Sequence, residues 1–202
     1  MKEFNIAFDF DMTLVDTSRG IIDTTKAVLS EFSPQMDDAE KSALRTFGLP
    51  LKNIFIDFVP LGMESQAISR FMDLYPTIGV AGSTLVPEVV ETLTALGNQG
   101  HTLSLISAKS GINLNLMLGH HGLSFECVIS DVHGTEKSRH MVDLGVDLYV
   151  GDQESDVAAA RAAGCKICII RTNFNADIAM WETQPDFIID QMNQLLVVVN
   201  SI

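Results

Sequence analysis

Short apolar runs recur along the chain and predict buried strands. Each run ends at polar residues or near a glycine, and the runs are rich in β-branched and aromatic side chains. Strands this apolar are typical of a parallel sheet that is covered on both faces. The predicted strands cover residues 4–10, 102–107, 125–130, 147–150, 166–170 and 187–189.

Segments with helical patterns lie between these strands. They cover residues 87–98, 113–120, 136–144, 154–163 and 192–199. A glycine follows several of them, as expected where a helix stops before the next strand. This alternation predicts an α/β fold, a Rossmann-like parallel sheet with helices on both faces.

One long region between the first two strands lacks a convincing strand. Its helical segments cover residues 18–32, 37–46, 51–58 and 64–75, with proline or glycine in the intervening turns. We therefore predict a small all-helical domain at residues 16–83, inserted into a core domain of residues 1–15 and 84–202. Residues 79–82, Gly-Val-Ala-Gly, are expected to form the hinge where the chain returns to the core.

Composition narrows the range of partners. The chain has 202 residues and a formal net charge of -13, a field that repels nucleic acid and anionic membrane surfaces. The N-terminal residues do not resemble a secretory signal, the apolar run at 195–199 is too short to span a bilayer, and three cysteines do not suggest a disulfide framework. We expect a cytoplasmic protein that binds neither nucleic acid nor membranes.

Polar clusters follow three of the predicted strands. They are residues 9–13 (Asp-Phe-Asp-Met-Thr), 107–109 (Ser-Ala-Lys) and 151–156 (Gly-Asp-Gln-Glu-Ser-Asp). Ligands of open parallel sheets bind beyond the carboxyl ends of the strands, so all three clusters are expected to converge on one edge.

The acidic residues of these clusters predict a metal site. Phe8, Phe10 and Leu14 flank the first pair of acids, which favours a position at the end of a buried strand. Crowded carboxylates have raised pKa values unless a cation neutralises them, and Mg²⁺ takes oxygen ligands of this kind. Asp152 and Asp156 are four residues apart at a helix start and share one face. This hypothesis requires Asp9 and Asp152 to lie close enough to share an ion.

The motifs together resemble those of the haloacid-dehalogenase-like hydrolase superfamily. Asp9 to Thr13 matches the DxDxT signature, Ser107 the second motif, Lys137 the third and Gly151 to Asp156 the GDxxxD fourth motif. Their order and spacing agree over essentially the whole chain. The inserted helical domain is similar to the cap of this family, and residues 46–50 resemble caps of the phosphoglycolate-phosphatase-like branch.

The resemblance implies a role for each matching residue. Asp9 would be the nucleophile that forms an aspartyl-phosphate, and Asp11 the general acid and base. True dehalogenases lack an acid at the position of Asp11, which argues against that reaction. The implied Mg²⁺ ligands are Asp9, Asp11 (through its carbonyl), Asp152 and Asp156, and the implied phosphate-binding residues are Ser107, Ala108 and Lys137.

Several positions depart from the family pattern. Met12 and Glu88 stand where related sequences commonly have glycine. Lys137 is followed by Ser138 instead of the frequent proline, so Lys109, next to the second motif, is an alternative phosphate-binding lysine. None of these departures removes a charge that the mechanism requires.

We therefore expect a Mg²⁺-dependent phosphatase that acts on a small phosphorylated metabolite. Two alternatives remain open at this point: a phosphomutase or phosphotransferase of the same fold acting on a sugar phosphate, and a non-catalytic binding protein. In the predicted cap, Arg45 and Lys52 are candidates for contact with an anionic part of the substrate.

Overall fold

The structure is a computed structural model that describes residues 2–35, 42 and 51–202. The chain divides into two compact units. Met1–Val15 and Leu85–Ile202 form the first, which we call the sheet unit, and Asp16–Thr84 form the second, the helical unit. Their roles as a catalytic core and a substrate-selecting cap stay predictions.

The strands and helices follow one another in the alternation that the sequence predicts. The strands are β1 (Asn5–Phe8), β2 (Val15–Asp16), β3 (Thr84–Leu85), β4 (Thr102–Ile106), β5 (Cys127–Ile129), β6 (Leu148–Gly151), β7 (Lys166–Ile170) and β8 (Phe187–Ile189). The α-helices are α1 (Ser18–Phe32), α2 (Leu51–Ile54), α3 (Glu64–Leu74), α4 (Ile78–Ala81), α5 (Val89–Asn98), α6 (Gly111–His121), α7 (Lys137–Asp143), α8 (Glu154–Ala163) and α9 (Leu195–Val199). Short 3₁₀ turns occur at Gly134–Glu136, Ile178–Met180 and Met192–Gln194.

A six-stranded sheet in the order β5-β4-β1-β6-β7-β8 organises the sheet unit. Each neighbouring pair in it is parallel. The predicted Rossmann-like parallel sheet is therefore confirmed. β1 lies between β4 and β6, so the three polar clusters of the sequence follow adjacent strands.

Both faces of this sheet are covered, which explains the near-continuous apolar runs. Ala7, Tyr149 and Ile167 pack on one face with Val157 of α8. Because side chains alternate along a strand, the residues between them point to the other face. Among those residues, Phe8, Val150 and Cys168 are also fully buried.

Two of the predicted helices begin as 3₁₀ turns. The segment predicted at 136–144 is α7 preceded by Gly134–Glu136, and the one at 192–199 is α9 preceded by Met192–Gln194. In the second case Gln191 and Gln194 form a capping box at the start of the 3₁₀ turn.

The helical unit has an apolar core of its own. Val28 and Leu29 of α1 pack with Phe55, Phe71 and Tyr75. The rings of Phe71 and Tyr75 stack with centroids 5.3 Å apart. Within the described part of this unit no strand lies between α1 and α4, as predicted.

Three segments of the helical unit differ from the prediction or lie outside the described part. The helix predicted at 51–58 ends as α2 at Ile54, because Phe58 N and Val59 N both donate to Phe55 O in a turn. The helix predicted at 37–46 lies, apart from residue 42, outside the described residues. Residues 79–82, the expected hinge, belong to α4 and its C-cap, and their role as a hinge stays a prediction.

Glycine permits the close approach of α1 and α4. A Cβ atom on Gly20 would overlap the carbonyl oxygen of Gly79, and one on Gly79 would overlap the Tyr75 ring. The glycines of this segment are therefore required by packing.

None of the helices among the described residues is both long and apolar enough to cross a lipid bilayer.

Candidate active site

The first acidic motif begins where β1 ends. Asp9 N still donates to Val150 O of β6 (2.8 Å), and the residue is 6% exposed. The chain then turns sharply, with Leu14 N donating to Phe10 O (3.0 Å). The end of a buried strand thus holds the Asp9 carboxylate at the sheet edge, where Phe10 N donates to its Oδ1 (2.8 Å).

Met12 occupies the tightest point of this turn. Its φ is 62°, in the left-handed region that glycine adopts without steric cost. The glycine that is common here in related sequences therefore has a backbone explanation. Met12 is held there by its neighbours, since Met12 N donates to Val15 O (2.8 Å) and its side chain is buried.

Of the second pair of acids, Asp152 directly follows β6 and Asp156 lies in the first turn of α8. The Asp156 carboxylate folds back over this loop, and its Oδ2 accepts bonds from Asp152 N (3.3 Å) and Gln153 N (3.1 Å). A Cβ atom on Gly151 would overlap that carboxylate, which explains why glycine precedes Asp152. Thr13, fully buried, donates to Asp152 Oδ1 (3.2 Å) and so connects the first motif with the fourth.

Lys137, at the start of α7, joins the two acidic motifs. Its Nζ lies 2.8 Å from Asp156 Oδ1 and 3.1 Å from Asp9 Oδ2, and the residue is 3% exposed. Burial lowers the pKa of this ammonium, but the nearby carboxylates Asp156 and Asp9 outweigh that effect and raise the pKa well above its ordinary value. Lys137 is therefore a fixed positive charge beside Asp9.

The buried carboxylates of Asp9, Asp152 and Asp156 form one cluster. One oxygen from each lies within 4.8 Å of the others. Burial raises the pKa of Asp9 to about 6, although Lys137 acts in the opposite direction. Burial, together with the charges of Asp156 and Asp9, also raises the pKa of Asp152 well above its usual range.

This cluster has the chemistry of a divalent-cation site. Lys137 can offset only one of the three negative charges if all three carboxylates ionise. Oxygen donors that converge with excess negative charge fit a hard cation such as Mg²⁺. Asp156 also orders the loop that carries Asp152, because its Oδ2 accepts two backbone N–H groups of that loop while its Oδ1 contacts Lys137.

The Asp11 side chain lies with the second lysine instead of joining the cluster. Lys109 Nζ is 2.9 Å from Asp11 Oδ1 and 3.1 Å from Oδ2. Each acid of the first motif therefore has its own lysine. Asp11 is about 29% exposed and so is more accessible than Asp9.

The second motif follows β4 on the other side of β1. Ser107 is buried, its N–H donates to Ile129 O (2.9 Å), and its Oγ accepts a bond from Lys109 N (3.2 Å). Ala108 is half-buried between them. The Ser107 hydroxyl and the amides that follow it are thus placed at the same sheet edge as Asp9, next to the strand that carries it.

The structure does not place the two candidate specificity residues. Arg45 lies outside the described residues. Lys52 belongs to α2, but its side chain is not among those described. Their contact with substrate remains a prediction.

Sequence reasoning missed Asn175. This buried side chain donates to Asp152 O (2.8 Å) and to Ile170 O (2.9 Å), and therefore touches the backbone of the acidic cluster. It lies in an irregular segment without periodicity. The usable signal was its position shortly after the carboxyl end of β7, the same rule that located the other clusters.

Comparisons with known proteins agree with this geometry. A family model described as haloacid dehalogenase-like hydrolase matches residues 6–170. A phosphoglycolate phosphatase of Vibrio vulnificus (strain YJ016) is 32% identical over 150 residues, which cover 68% of this chain and 66% of that protein. A phosphoglycolate phosphatase of Aliivibrio fischeri is 26% identical over 217 residues, covering 96% of this chain and 96% of that protein.

A solved structure shows the same fold. A haloacid dehalogenase-like hydrolase from Bacteroides fragilis superimposes with a TM-score of 0.81 at 25% identity, over 96% of this chain and 100% of that chain. The chain belongs to the haloacid dehalogenase-like hydrolase family, and its motifs place it in the phosphoglycolate-phosphatase-like branch. Within that family it is an enzyme of the phosphatase class, as the sequence predicted.

Proposed function

We propose that this enzyme is a Mg²⁺-dependent phosphatase that hydrolyses a small phosphate monoester through an aspartyl-phosphate on Asp9. The observation that carries the proposal is the buried cluster of Asp9, Asp152 and Asp156 with Lys137. Burial of several charged groups together costs free energy and shifts their pKa values. Such clusters occur preferentially at functional sites.

Asp9 is the proposed nucleophile. A carboxylate oxygen of Asp9 attacks phosphorus, the bond from phosphorus to the ester oxygen breaks, and an acyl-phosphate forms. Lys137, 3.1 Å from Asp9 Oδ2, would offset negative charge on the phosphoryl oxygens. The Ser107 hydroxyl and the Ala108 amide would donate hydrogen bonds to the same oxygens.

Asp11 is the proposed general acid and base. It would give its proton to the departing alkoxide and then take a proton from the water that attacks phosphorus, which releases phosphate and restores Asp9. Its greater exposure and its separation from the buried cluster suit a group that exchanges protons with leaving group and water.

Asp9, Asp152 and the carbonyl of Asp11 are the proposed ligands of Mg²⁺, with Asp156 orienting the loop and Lys137. When bound, the ion would neutralise negative charge on the nucleophile and on the phosphoryl group. The raised pKa values of Asp9 and Asp152 support this proposal, because they show carboxylates that lack sufficient compensation from the protein alone.

We propose a small phosphorylated metabolite as substrate. The names of the relatives make 2-phosphoglycolate the first compound to test. The net charge of -13 means that an anionic substrate depends on Lys137, Lys109 and the bound cation for local attraction.

Phosphate release from 2-phosphoglycolate, an aryl phosphate and a hexose phosphate tests the proposal. We expect activity with Mg²⁺, its loss in EDTA, and a fall of at least about 10³-fold in kcat for Asp9→Asn, since the amide cannot attack phosphorus. Asp143→Asn changes an exposed acid at the end of α7 in the same sheet unit and serves as the matched control. Full activity of Asp9→Asn would refute the mechanism, and an isomer in place of free phosphate would identify a mutase.

The helical unit is the proposed selector of substrate. Its insertion directly after the first motif supports this role, since lids of this kind exclude water and complete a site. Arg45→Ala and Lys52→Ala are expected to raise KM for an anionic phosphate ester more than for a neutral one. Equal effects on both esters would remove the two residues from this role.

A further inference from the structure

Asn175 is a buried amide whose hydrogen-bonding groups are all engaged. It is 4% exposed, its Nδ2 donates to Asp152 O (2.8 Å) and Ile170 O (2.9 Å), and its Oδ1 accepts from Thr172 N (2.8 Å). Each amide hydrogen and the carbonyl therefore has a partner. A side chain fixed in this way connects the loop after β6, through Asp152, with the segment at the end of β7, through Ile170 and Thr172.

The two carbonyl oxygens that accept hydrogen bonds from Asn175 lie where the pairing of β6 with β7 ends. The pairing of β6 with β7 runs as far as Gly151 and Ile169. Asp152 and Ile170 come directly after this last pair, so Asn175 replaces the missing sheet bonds. The amide thus continues the connection between the two strands into the loop that carries Asp152.

Asp152 is consequently held at three points. Thr13 donates to its carboxylate (3.2 Å), the Asp156 carboxylate accepts its N–H (3.3 Å), and Asn175 donates to its carbonyl oxygen (2.8 Å). Thr13 and Asp156 belong to the acidic motifs themselves. Asn175 comes from a different segment of the chain and makes the shortest of the three bonds.

We propose that Asn175 is a positioning residue that sets the cation affinity of the acidic cluster by fixing the backbone of Asp152. This inference rests on the proposed function, in which Asp152 binds Mg²⁺. Mg²⁺ requires near-ideal geometry at short oxygen distances, so a small displacement of Asp152 weakens the site. Loss of a residue that orients a metal ligand typically lowers affinity about 10- to 100-fold.

Asn5 provides a matched control for a purely structural effect. Its Nδ2 also donates to two backbone carbonyls, those of Leu144 (3.2 Å) and Gly145 (3.1 Å). Asn5 begins β1, so this bridge lies at the amino edge of the sheet, away from the acidic cluster. Asn5→Ala therefore removes a similar bridge without touching the backbone of Asp152.

Calorimetric titration of the full chain with Mg²⁺ tests the proposal. We expect Asn175→Ala to raise the Kd for Mg²⁺ about tenfold or more, whereas Asn5→Ala changes it less than twofold. We also expect kcat of Asn175→Ala to recover toward that of the wild type at saturating Mg²⁺. A Kd within twofold of the wild type for Asn175→Ala would overturn the inference.

Asn175→Asp keeps the test decisive if the alanine variant does not fold. The aspartate retains the acceptor for Thr172 N but cannot donate to Asp152 O. It also adds negative charge, which by itself would strengthen cation binding. Weaker Mg²⁺ binding by Asn175→Asp supports the proposal, and equal or tighter binding overturns it.

The titration separates this inference from the proposed function. A wild-type chain that binds no Mg²⁺ would remove both. A wild-type chain that binds Mg²⁺ and loses activity on Asp9→Asn, beside an Asn175→Ala variant of unchanged affinity, would remove the role of Asn175 alone.

Discussion

Each acid of the first motif pairs with a lysine of its own, which separates the roles of the two lysines. Lys137 touches Asp9, and Lys109 touches both oxygens of Asp11. The sequence left either lysine as the phosphate-binding group. Contact with Asp9, the proposed nucleophile, favours Lys137, because the transferred phosphoryl group would have to approach Asp9 in that mechanism.

A comparison of Lys137→Met with Lys109→Met tests this assignment. We expect Lys137→Met to lower kcat by about 10²- to 10³-fold, the usual effect of removing a group that stabilises developing charge, and Lys109→Met to lower it at least tenfold less. Thermal unfolding of both variants shows whether a loss reflects folding, since removal of Lys137 leaves two buried carboxylates unpaired. An equal or larger loss in Lys109→Met would reverse the assignment.

The backbone conformation gives a physical meaning to two departures from the family pattern, Met12 and Glu88. Met12 and Glu88 have φ values of 62° and 67°. At both positions glycine, which the family resemblance leads us to expect, would adopt this left-handed conformation without steric cost. Composition and periodicity carry no information on the sign of φ, so the sequence showed the departure but not its cause.

At the level of elements, apolar runs were sufficient to locate the strands. The strands β7 and β8 have the predicted bounds, and in β7 the run from Ile167 to Ile170 is buried on both faces. Helix ends were less predictable. Local bonds decide them, such as those to Phe55 O that end the segment after α2.

Ligands of open parallel sheets bind beyond the carboxyl ends of the strands, and this rule correctly predicted that the acidic motifs lie together. It could not show that Asp156 folds back onto Gly151 and Lys137, since that contact depends on side-chain direction. It also gave no reason to select Asn175 among the polar residues after β7. Such contacts become visible only in three dimensions.

The close contact of α1 with α4 gives a prediction for the helical unit. We expect Gly20→Ala to destabilise the protein by roughly 1–3 kcal/mol, because its methyl group would overlap the Gly79 carbonyl. Gly119→Ala in α6 is the matched control, since nothing lies within 4 Å of the added Cβ. There the better helix propensity of alanine should raise stability by about 0.5–1 kcal/mol.

Chemical denaturation of the two variants provides the measurement. A Gly20→Ala variant as stable as the wild type would show that the backbones separate without cost. Gly119→Ala guards against a general intolerance of added methyl groups in helices.

For the whole molecule, the cluster of buried acids couples stability to pH. The pKa of Asp9 is about 6 in the folded protein against an ordinary 3.8. The contribution of this carboxyl group to the free energy of unfolding is therefore fully present below about pH 3.8 and is lost as the pH rises through about 6. The raised pKa of Asp152 acts in the same direction.

A bound cation should reverse this loss. Mg²⁺ needs ionised carboxylates, so protons compete with it. We expect the increase in Tm caused by Mg²⁺ over EDTA to be several degrees larger at pH 7.5 than at pH 5. Differential scanning calorimetry checks this, with Asp9→Asn expected to weaken the pH dependence. An increase that is the same at both pH values would contradict the coupling.

The central place of β1 in the sheet also bears on how the protein opens transiently. β5 and β8 are edge strands of three residues each, whereas β1 has hydrogen-bonded neighbours on both sides. Amide hydrogen exchange should therefore be fastest at the margins and slowest along Ile6, Ala7 and Phe8. Asp9 directly follows β1, so we expect brief local openings to expose the margins of the sheet while the acidic cluster keeps its arrangement.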